Sequence, residues 1–313
     1  LKIFHEGIRE WRLNMDIVYV VVNLLVFLAL APLFEGIVRK ITARVQSRMG
    51  PPVIQPYYDI IKLLGKENLT PGNMIFNFAP MMSFAAILSV ICFIPLGYKA
   101  NFLTEYADVI TIIYLLVLGG VAILLGALAS RNTFAMIGAS REMVTMIMVE
   151  PVLAMTFFIG AVKVKSLSID STVFSIMNNG YSFSAFLMMA LYLMALQAFV
   201  GKQPFDIAEA EQEILEGPFI EYSGPNLALF KYSLMLKRMF YAALFVMVFV
   251  PFIFSGIYAV DIILQLIGVA FVFVLIALVG STNPRVRIDQ AVKYYSVLIV
   301  MSLAAVGLSV YGI

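Results

Sequence analysis

Eight stretches of about 20 nearly uninterrupted apolar residues dominate this sequence, at 17–34, 74–95, 109–129, 143–162, 184–200, 227–250, 261–280 and 294–312. Each is long enough to cross the hydrocarbon core of a bilayer. No water is present there, so only a helix satisfies its own backbone N–H and C=O groups. A transmembrane barrel would alternate polar and apolar residues, and runs such as Ile110–Leu118 do not. The composition agrees: of 313 residues, 62% are hydrophobic and 13% charged, with a mean hydropathy of +0.96. A soluble domain carries about 25% charged residues. A soluble enzyme, a nucleic-acid-binding domain and a disordered chain are therefore excluded. Cys92 is the single cysteine and His5 the single histidine, which leaves no internal disulfide, no cysteine-held iron–sulfur cluster and no multi-histidine metal site. The expected fold is an all-α polytopic membrane protein of eight transmembrane helices plus an amphipathic cytoplasmic surface helix, binding no metal or cofactor itself.

Fifteen of the 21 Lys and Arg residues fall in or beside the odd-numbered connections. The positive-inside rule therefore places those loops (about 35–73, 130–142, 201–226 and 281–293) in the cytoplasm and both termini outside a cell membrane. Residues 1–16 carry three acids and three bases and do not resemble a signal peptide. They read as a peripheral extension of a single membrane domain spanning 17–313.

Charge concentrates at four places. From Gly36 to Met49, Ile37, Ile41, Val45 and Met49 alternate by four-residue steps with Lys40, Arg44 and Arg48, the pattern of a helix lying on the membrane surface. Gly50, Pro51 and Pro52 stop it. A second short helix is expected over Gln55–Glu67, with Asp59, Lys62 and Lys66 on its polar face. Lipid anchoring and docking of a partner subunit both fit these helices. In the third cytoplasmic loop, Asp206, Glu209, Glu211, Glu213, Glu216 and Glu221 are interleaved with Phe205, Ile207, Ile214, Phe219 and Tyr222. Packed carboxyls repel one another, and a row poised between charged and neutral forms is suited to passing protons. The same atoms offer oxygen ligands to a divalent ion, but no EF-hand pattern is present. Glu150 lies within the fourth span just before Pro151, which leaves the Ile147 carbonyl without its helical donor. Glu142, Met146 and Glu150 share one helical face. An intramembrane acid marks an ion path or locks packing against a base, here Lys231, Lys237 or Arg238. In the last cytoplasmic loop, Arg285 and Arg287 alternate, with Asp289 in reach of local pairing with either; the loop reads as an anchor or a brace for the acidic loop.

Four segments resemble one known family, the heel subunit (subunit 1) of complex I, the respiratory NADH dehydrogenase. They are Gln46-Ser-Arg-Met-Gly-Pro51 with Gln55-Pro-Tyr-Tyr-Asp-Ile-Ile-Lys-Leu-Leu-Gly-Lys-Glu67, Pro204-Phe-Asp-Ile-Ala-Glu-Ala-Glu-Gln-Glu213 with Ile220-Glu-Tyr222, Pro284-Arg-Val-Arg-Ile-Asp-Gln290, and Ser130–Arg141 with Glu150 beyond. The likeness covers nearly all of the chain after residue 17. It implies a cofactor-free subunit that joins a peripheral redox arm to an ion-pumping membrane arm. The implied partners are a hydrogenase-like large subunit, an iron–sulfur small subunit, antiporter-like and small membrane subunits, and the lipid bilayer, with no nucleic acid. Any iron–sulfur clusters or [NiFe] centre would belong to those partners. By the resemblance, Glu150, Asp206, Glu209, Glu211, Glu213 and Glu221 become proton-path candidates, to which the shared face adds Glu142. Arg39, Lys40, Arg48, Asp59, Arg141, Arg285, Arg287 and Asp289 become loop-organising charges, and Glu35 and Lys62 join them as charges of the first loop.

Two departures bear on the subfamily. Only Pro52-Val53-Ile54 separates Gly50-Pro51 from Gln55-Pro56, a shortening of the segment that helps shape the quinone chamber in complex I. Val38 replaces an acid, and Glu35 supplies one a helical turn earlier. The short loop with Gly50-Pro51-Pro52 is similar to that of the membrane subunit of energy-converting [NiFe] hydrogenases and of the related archaeal sulfane-sulfur reductase complex. In those complexes a ferredoxin-linked arm is coupled to H⁺ or Na⁺ translocation without quinone. A quinone-reducing complex I subunit, a stand-alone ion transporter and a purely structural anchor remain as alternatives.

Overall fold

Three spans begin where a polar side chain takes up a free backbone donor. Asn73 accepts from Ile75 N–H at 3.1 Å, Asn132 from Phe134 N–H at 2.8 Å and Ser182 from Ala185 N–H at 3.2 Å. The computed structural model describes residues 2–99, 103, 108–251 and 255–312, with side chains from residue 17 onward except 178, 179 and 211. Within them the chain is helical and has no strand. The helices are α1 (Lys2–Val45), α2 (Gln55–Leu64), α3 (Met74–Cys92), α4 (Val109–Ala129), α5 (Thr133–Val164), α6 (Ile169–Val173), α7 (Ser175–Asn179), α8 (Phe183–Val200), α9 (Glu211–Ile214), α10 (Gly224–Phe249), α11 (Tyr258–Thr282) and α12 (Ile288–Val310). Eight are long and apolar enough to cross a membrane: α1, α3, α4, α5, α8, α10, α11 and α12.

Helix α10 is the central post. It packs against α1, α2, α3, α8 and α11, and most of its apolar window is buried inside the protein. It is also the least apolar of the eight spans, because a helix surrounded by protein can carry polar groups that lipid would exclude. The main core runs from Phe27 and Phe34 on α1 through Tyr192 and Phe199 on α8 to Phe240 and Phe245 on α10 and Phe273 on α11. Phe34 and Phe273 stack with ring centroids 5.0 Å apart, tying α1 to α11.

Prolines inside spans release one carbonyl each, and two of those carbonyls are recaptured by tyrosines. Pro32 frees the Leu28 carbonyl, which accepts from Tyr232 Oη at 2.6 Å. Pro80 frees the Phe76 carbonyl, which accepts from Tyr222 Oη at 3.1 Å. Helix α5 runs unbroken through Pro151, and among the described residues no side chain takes the Ile147 carbonyl.

The first charged segment departs from the sequence expectation. Gly36–Val45 is not a separate surface helix but the end of α1, continuous with the span and with residues 2–16. No breaker interrupts it, and Gly36 lies so close to the Val53 carbonyl that a β-carbon would collide with it. The loop thus folds back onto the span instead of along the membrane. The amphipathic helix of this region is α2, with Pro56 buried and Tyr58, Ile61 and Leu64 exposed. Likewise α5 starts at Thr133, before the apolar window that begins at 143. Arg141 and Glu142 end the apolar run without ending the helix.

The acidic segment between α8 and α10 tucks into the charged end of the bundle. The Gln203–Pro204 bond is cis, and the Pro204 carbonyl accepts from Val286 N–H at 3.0 Å. Tyr222 stacks on Phe76 at 3.9 Å between ring centroids. Leu215, Glu216 and Gly217 take three successive positive φ angles of 50°, 68° and 52°. This turn brings Glu216 Oε1 to 3.7 Å from Lys231 Nζ on α10.

Candidate functional site

At the charged end, α1, α5, α8, α10 and the 201–210 segment enclose two adjoining cavities. Counted out to their open sides they measure about 720 and 950 Å³. The two share Gly201, Asp206, Glu209, Leu234 and Arg238 as walls, so they adjoin as the outer and inner parts of a chamber. Glu35, Arg39, Lys202, Glu216 and Lys231 line its outer part. Glu142, Glu150, Lys237, Tyr241 and Tyr295 line the inner part, which reaches into the apolar span α5.

Glu35 is the hub of the outer part. It is 3% exposed and faces three cations: Lys202 Nζ at 2.6 Å, Arg238 Nη1 at 3.2 Å and Arg39 Nε at 3.9 Å. Burying a carboxylate is costly, and several cations with matched hydrogen bonds offset that cost. Burial pulls the Lys202 ammonium below the usual lysine range, and the neighbouring Arg238 adds to the fall while Glu35 opposes it. Arg238 divides the chamber. Its Nε donates to the Val200 carbonyl at 3.0 Å, Nη1 meets Glu35, and Nη2 lies 3.9 Å from Glu209.

Glu209 stands between the two parts. Burial raises its carboxyl, Asp206 and Glu142 add to the rise, and Arg238 and Lys202 oppose it, leaving it at about 7. Asp206 is held by Arg285 Nη2 at 3.1 Å, so the last charged loop braces the acidic one and Arg285 does not pair with Asp289. Among the described residues neither Glu142 nor Glu150 has a cation within 4.0 Å. Of the three bases weighed as partners of Glu150, only Lys237 lines its cavity without another ion pair. Lys231 is engaged by Glu216, and Arg238 by Glu35 and Glu209.

The remaining candidates lie outside the chamber. Glu213 is on the surface, where Arg141 Nη1 at 2.6 Å holds its carboxyl below the usual range. Glu221 is exposed and accepts from Asn132 Nδ2 at 2.5 Å. The side chain of Glu211 lies outside the described residues. Arg39 also pairs with Asp59 at 2.8 Å; burial raises that carboxyl, but hydrogen bonds from Arg39 and Gln55 outweigh it and hold it low. Lys40 donates to the Met49 carbonyl at 3.0 Å, and Arg48 bonds Gln46. Lys62, Arg287 and Asp289 are exposed, and Gln290 Oε1 accepts from the Arg287 N–H at 3.3 Å.

Sequence reasoning places neither Lys202 nor the two tyrosines among the site residues; it names Glu216 only as one of the six acids of the loop, and Lys237 and Arg238 only as possible partners of Glu150. Lys202 precedes the acidic run and looks like an ordinary loop charge. Lys237 and Arg238 are two adjacent bases inside an apolar span, which is the signal that marks them.

Comparison with known proteins agrees with this architecture. The profile of the family described as NADH dehydrogenase matches residues 17–310. Formate hydrogenlyase subunit 4 of Escherichia coli is 32% identical over 88% of this chain and 92% of its own length. Hydrogenase-4 component C of Escherichia coli is 34% identical over 87% and 89%. The H subunit of NADH-quinone oxidoreductase from Thermomicrobium roseum is 29% identical over 96% of each. A chain in the solved structure of the membrane-bound sulfane sulfur reductase, an archaeal respiratory membrane complex, superposes with a TM-score of 0.84 at 27% identity, over 94% of this chain and 99% of that one. The chain is a multi-pass membrane protein that belongs to the NADH dehydrogenase family, that of the complex I heel subunit.

Proposed function

We propose that this chain is the non-redox membrane subunit of a complex I-related hydrogenase or sulfane-sulfur reductase. In this reading it anchors a peripheral redox arm and couples electron transfer to H⁺ or Na⁺ translocation. The observation that carries it is the chamber. A paired, charged outer part leads past Glu209, poised near neutrality, to Glu142 and Glu150, which have no close cation within the span. Reduction of a centre docked at the charged end would draw protons toward it. Glu209 would change its charge first, and the change would pass to Glu142 and Glu150. The paired charges around Glu35 keep the outer wall fixed while this happens. Antiporter-like neighbours would then turn the shift into ion movement. The same reading puts the charged end in the cytoplasm, docks an iron–sulfur small subunit and a hydrogenase-like large subunit there, and leaves all redox centres to those partners.

The test is Glu150→Gln in the intact complex in proteoliposomes. Fewer ions moved per electron supports the reading, and an unchanged ratio removes Glu150 from the path. Full-length likeness to the H subunits of NADH-quinone oxidoreductases favours a second reading, quinone reduction. Inhibition of the purified complex by a quinone analogue would select it.

A further inference from the structure

Tyrosine hydroxyls in this protein repeatedly end on backbone carbonyls: Tyr98 on Val250, Tyr181 on Phe249, Tyr192 on Tyr241, Tyr222 on Phe76, Tyr232 on Leu28 and Tyr294 on Met194. Tyr295 breaks the pattern. It is 1% exposed, and its hydroxyl has no hydrogen-bond partner among the described residues. A buried hydroxyl left unpaired is disfavoured, because it gives up its bonds to water and gains none in return. Tyr295 forms part of the wall of the inner chamber, together with Glu142, Glu150, Asp206 and Glu209. Its ring packs on Phe205 with centroids 5.1 Å apart, and Phe205 immediately precedes Asp206. Tyr294 also packs on Phe205, at 5.2 Å, with its own hydroxyl fixed to the Met194 carbonyl at 3.0 Å. The neighbouring tyrosine is thus a strut, while Tyr295 has the same packing and a hydroxyl kept free.

A phenol both donates and accepts, whereas an ionised carboxylate only accepts. Among the side chains that line the inner chamber, the carboxylates of Glu142, Glu150, Asp206 and Glu209 are the ionisable acceptors for that O–H. We infer that Tyr295 is a relay residue of the proton route, its hydroxyl taking a carboxylate of the inner chamber as acceptor when that group is charged and releasing it on protonation. Glu142 is that carboxylate. It lines the same cavity, has no cation within 4.0 Å, and lies on the helical face that leads to Glu150. The transfer balances at the oxygen. Tyr295 Oη receives a proton from the Glu209 side as its own O–H proton passes to Glu142, one O–H bond forming as the other breaks, and the phenol ends unchanged. The ring contact with Phe205 sets the hydroxyl by the position of the acidic segment, so a shift of that segment opens or closes the relay.

The inference rests on the proton-route reading, and the experiment separates the two. In the intact complex in proteoliposomes, Tyr295→Phe keeps the ring and its packing and removes only the oxygen. The rate of ion translocation should fall by about 100-fold, the low end of what a positioned proton-transfer group contributes. Electron transfer to an artificial acceptor on the peripheral arm should keep its wild-type rate, and the solvent deuterium isotope effect on the residual translocation should change. Tyr294→Phe, which loosens a strut, should leave the isotope effect as in the wild type. Wild-type translocation and isotope effect in Tyr295→Phe would overturn the inference if Glu150→Gln and Glu209→Gln are impaired. Should those two variants also translocate normally, the proton-route reading itself fails.

Discussion

At the scale of single residues, Glu35 and Glu209 divide two tasks that one acidic site would not combine. Glu35 is surrounded by three cations and stays ionised as a structural charge. Replacing it with Gln removes the main counter-charge of half-buried Lys202 and leaves buried Arg238 only the more distant Glu209, a loss of about 3 kcal/mol. Thermal unfolding in detergent checks this, and adding Lys202→Met should recover part of the loss by removing one stranded cation. Glu209, raised to about 7 by burial, behaves in the opposite sense. Below the unfolded value, near 4.5, both states hold the proton and the group contributes nothing to pH dependence. Between 4.5 and about 7 the folded state binds more protons, so its stability falls as pH rises, and the full penalty is present above 7. Glu209→Gln carries no such penalty. Its stability advantage over the wild type should therefore grow from about pH 4.5 to about pH 8, measured by parallel unfolding curves.

Elements were legible in the sequence to the extent that apolar length defined them. All eight spans could be read because about 20 apolar residues in a row admit no other structure in lipid. The end of α1 was misread because an i, i+4 alternation of Lys40, Arg44 and Arg48 describes a surface helix and the polar end of a span equally well. The close approach of Gly36 to Val53 decides between them, and that contact is tertiary. The Glu35 hub was hidden for the same reason, since two of its three cations, Lys202 and Arg238, come from remote segments. Glu150 was visible because an acid inside an apolar run stands out without any structure. The tyrosine hydroxyls that recapture proline-freed carbonyls follow the same tertiary logic and can be tested as a cycle. Tyr222→Phe strips the Phe76 carbonyl of its donor and should cost about 1 kcal/mol or more. In a Pro80→Ala background the alanine's own backbone N–H supplies that donor, so the cost of Tyr222→Phe should shrink, with a coupling measurable from four unfolding curves.

Over the whole molecule, the charged loops and the chamber mouth gather at one end, while both chain ends of the eight-span bundle lie at the other. If that charged end is cytoplasmic, a cysteine placed at exposed Lys62 in a Cys92→Ser background should escape an impermeant thiol reagent on intact cells, and one placed at exposed Tyr311 should react. The reverse labelling would invert the orientation. The central proposal is that electrons moving beside this end change the protonation of Glu209 and, beyond it, of Glu150. Reduced-minus-oxidised infrared difference spectroscopy of the intact complex reads that change directly. We predict carboxylic-acid carbonyl bands that appear on reduction and are lost in Glu209→Gln and Glu150→Gln. A carbonyl region that stays flat through the redox cycle in the wild type would contradict it.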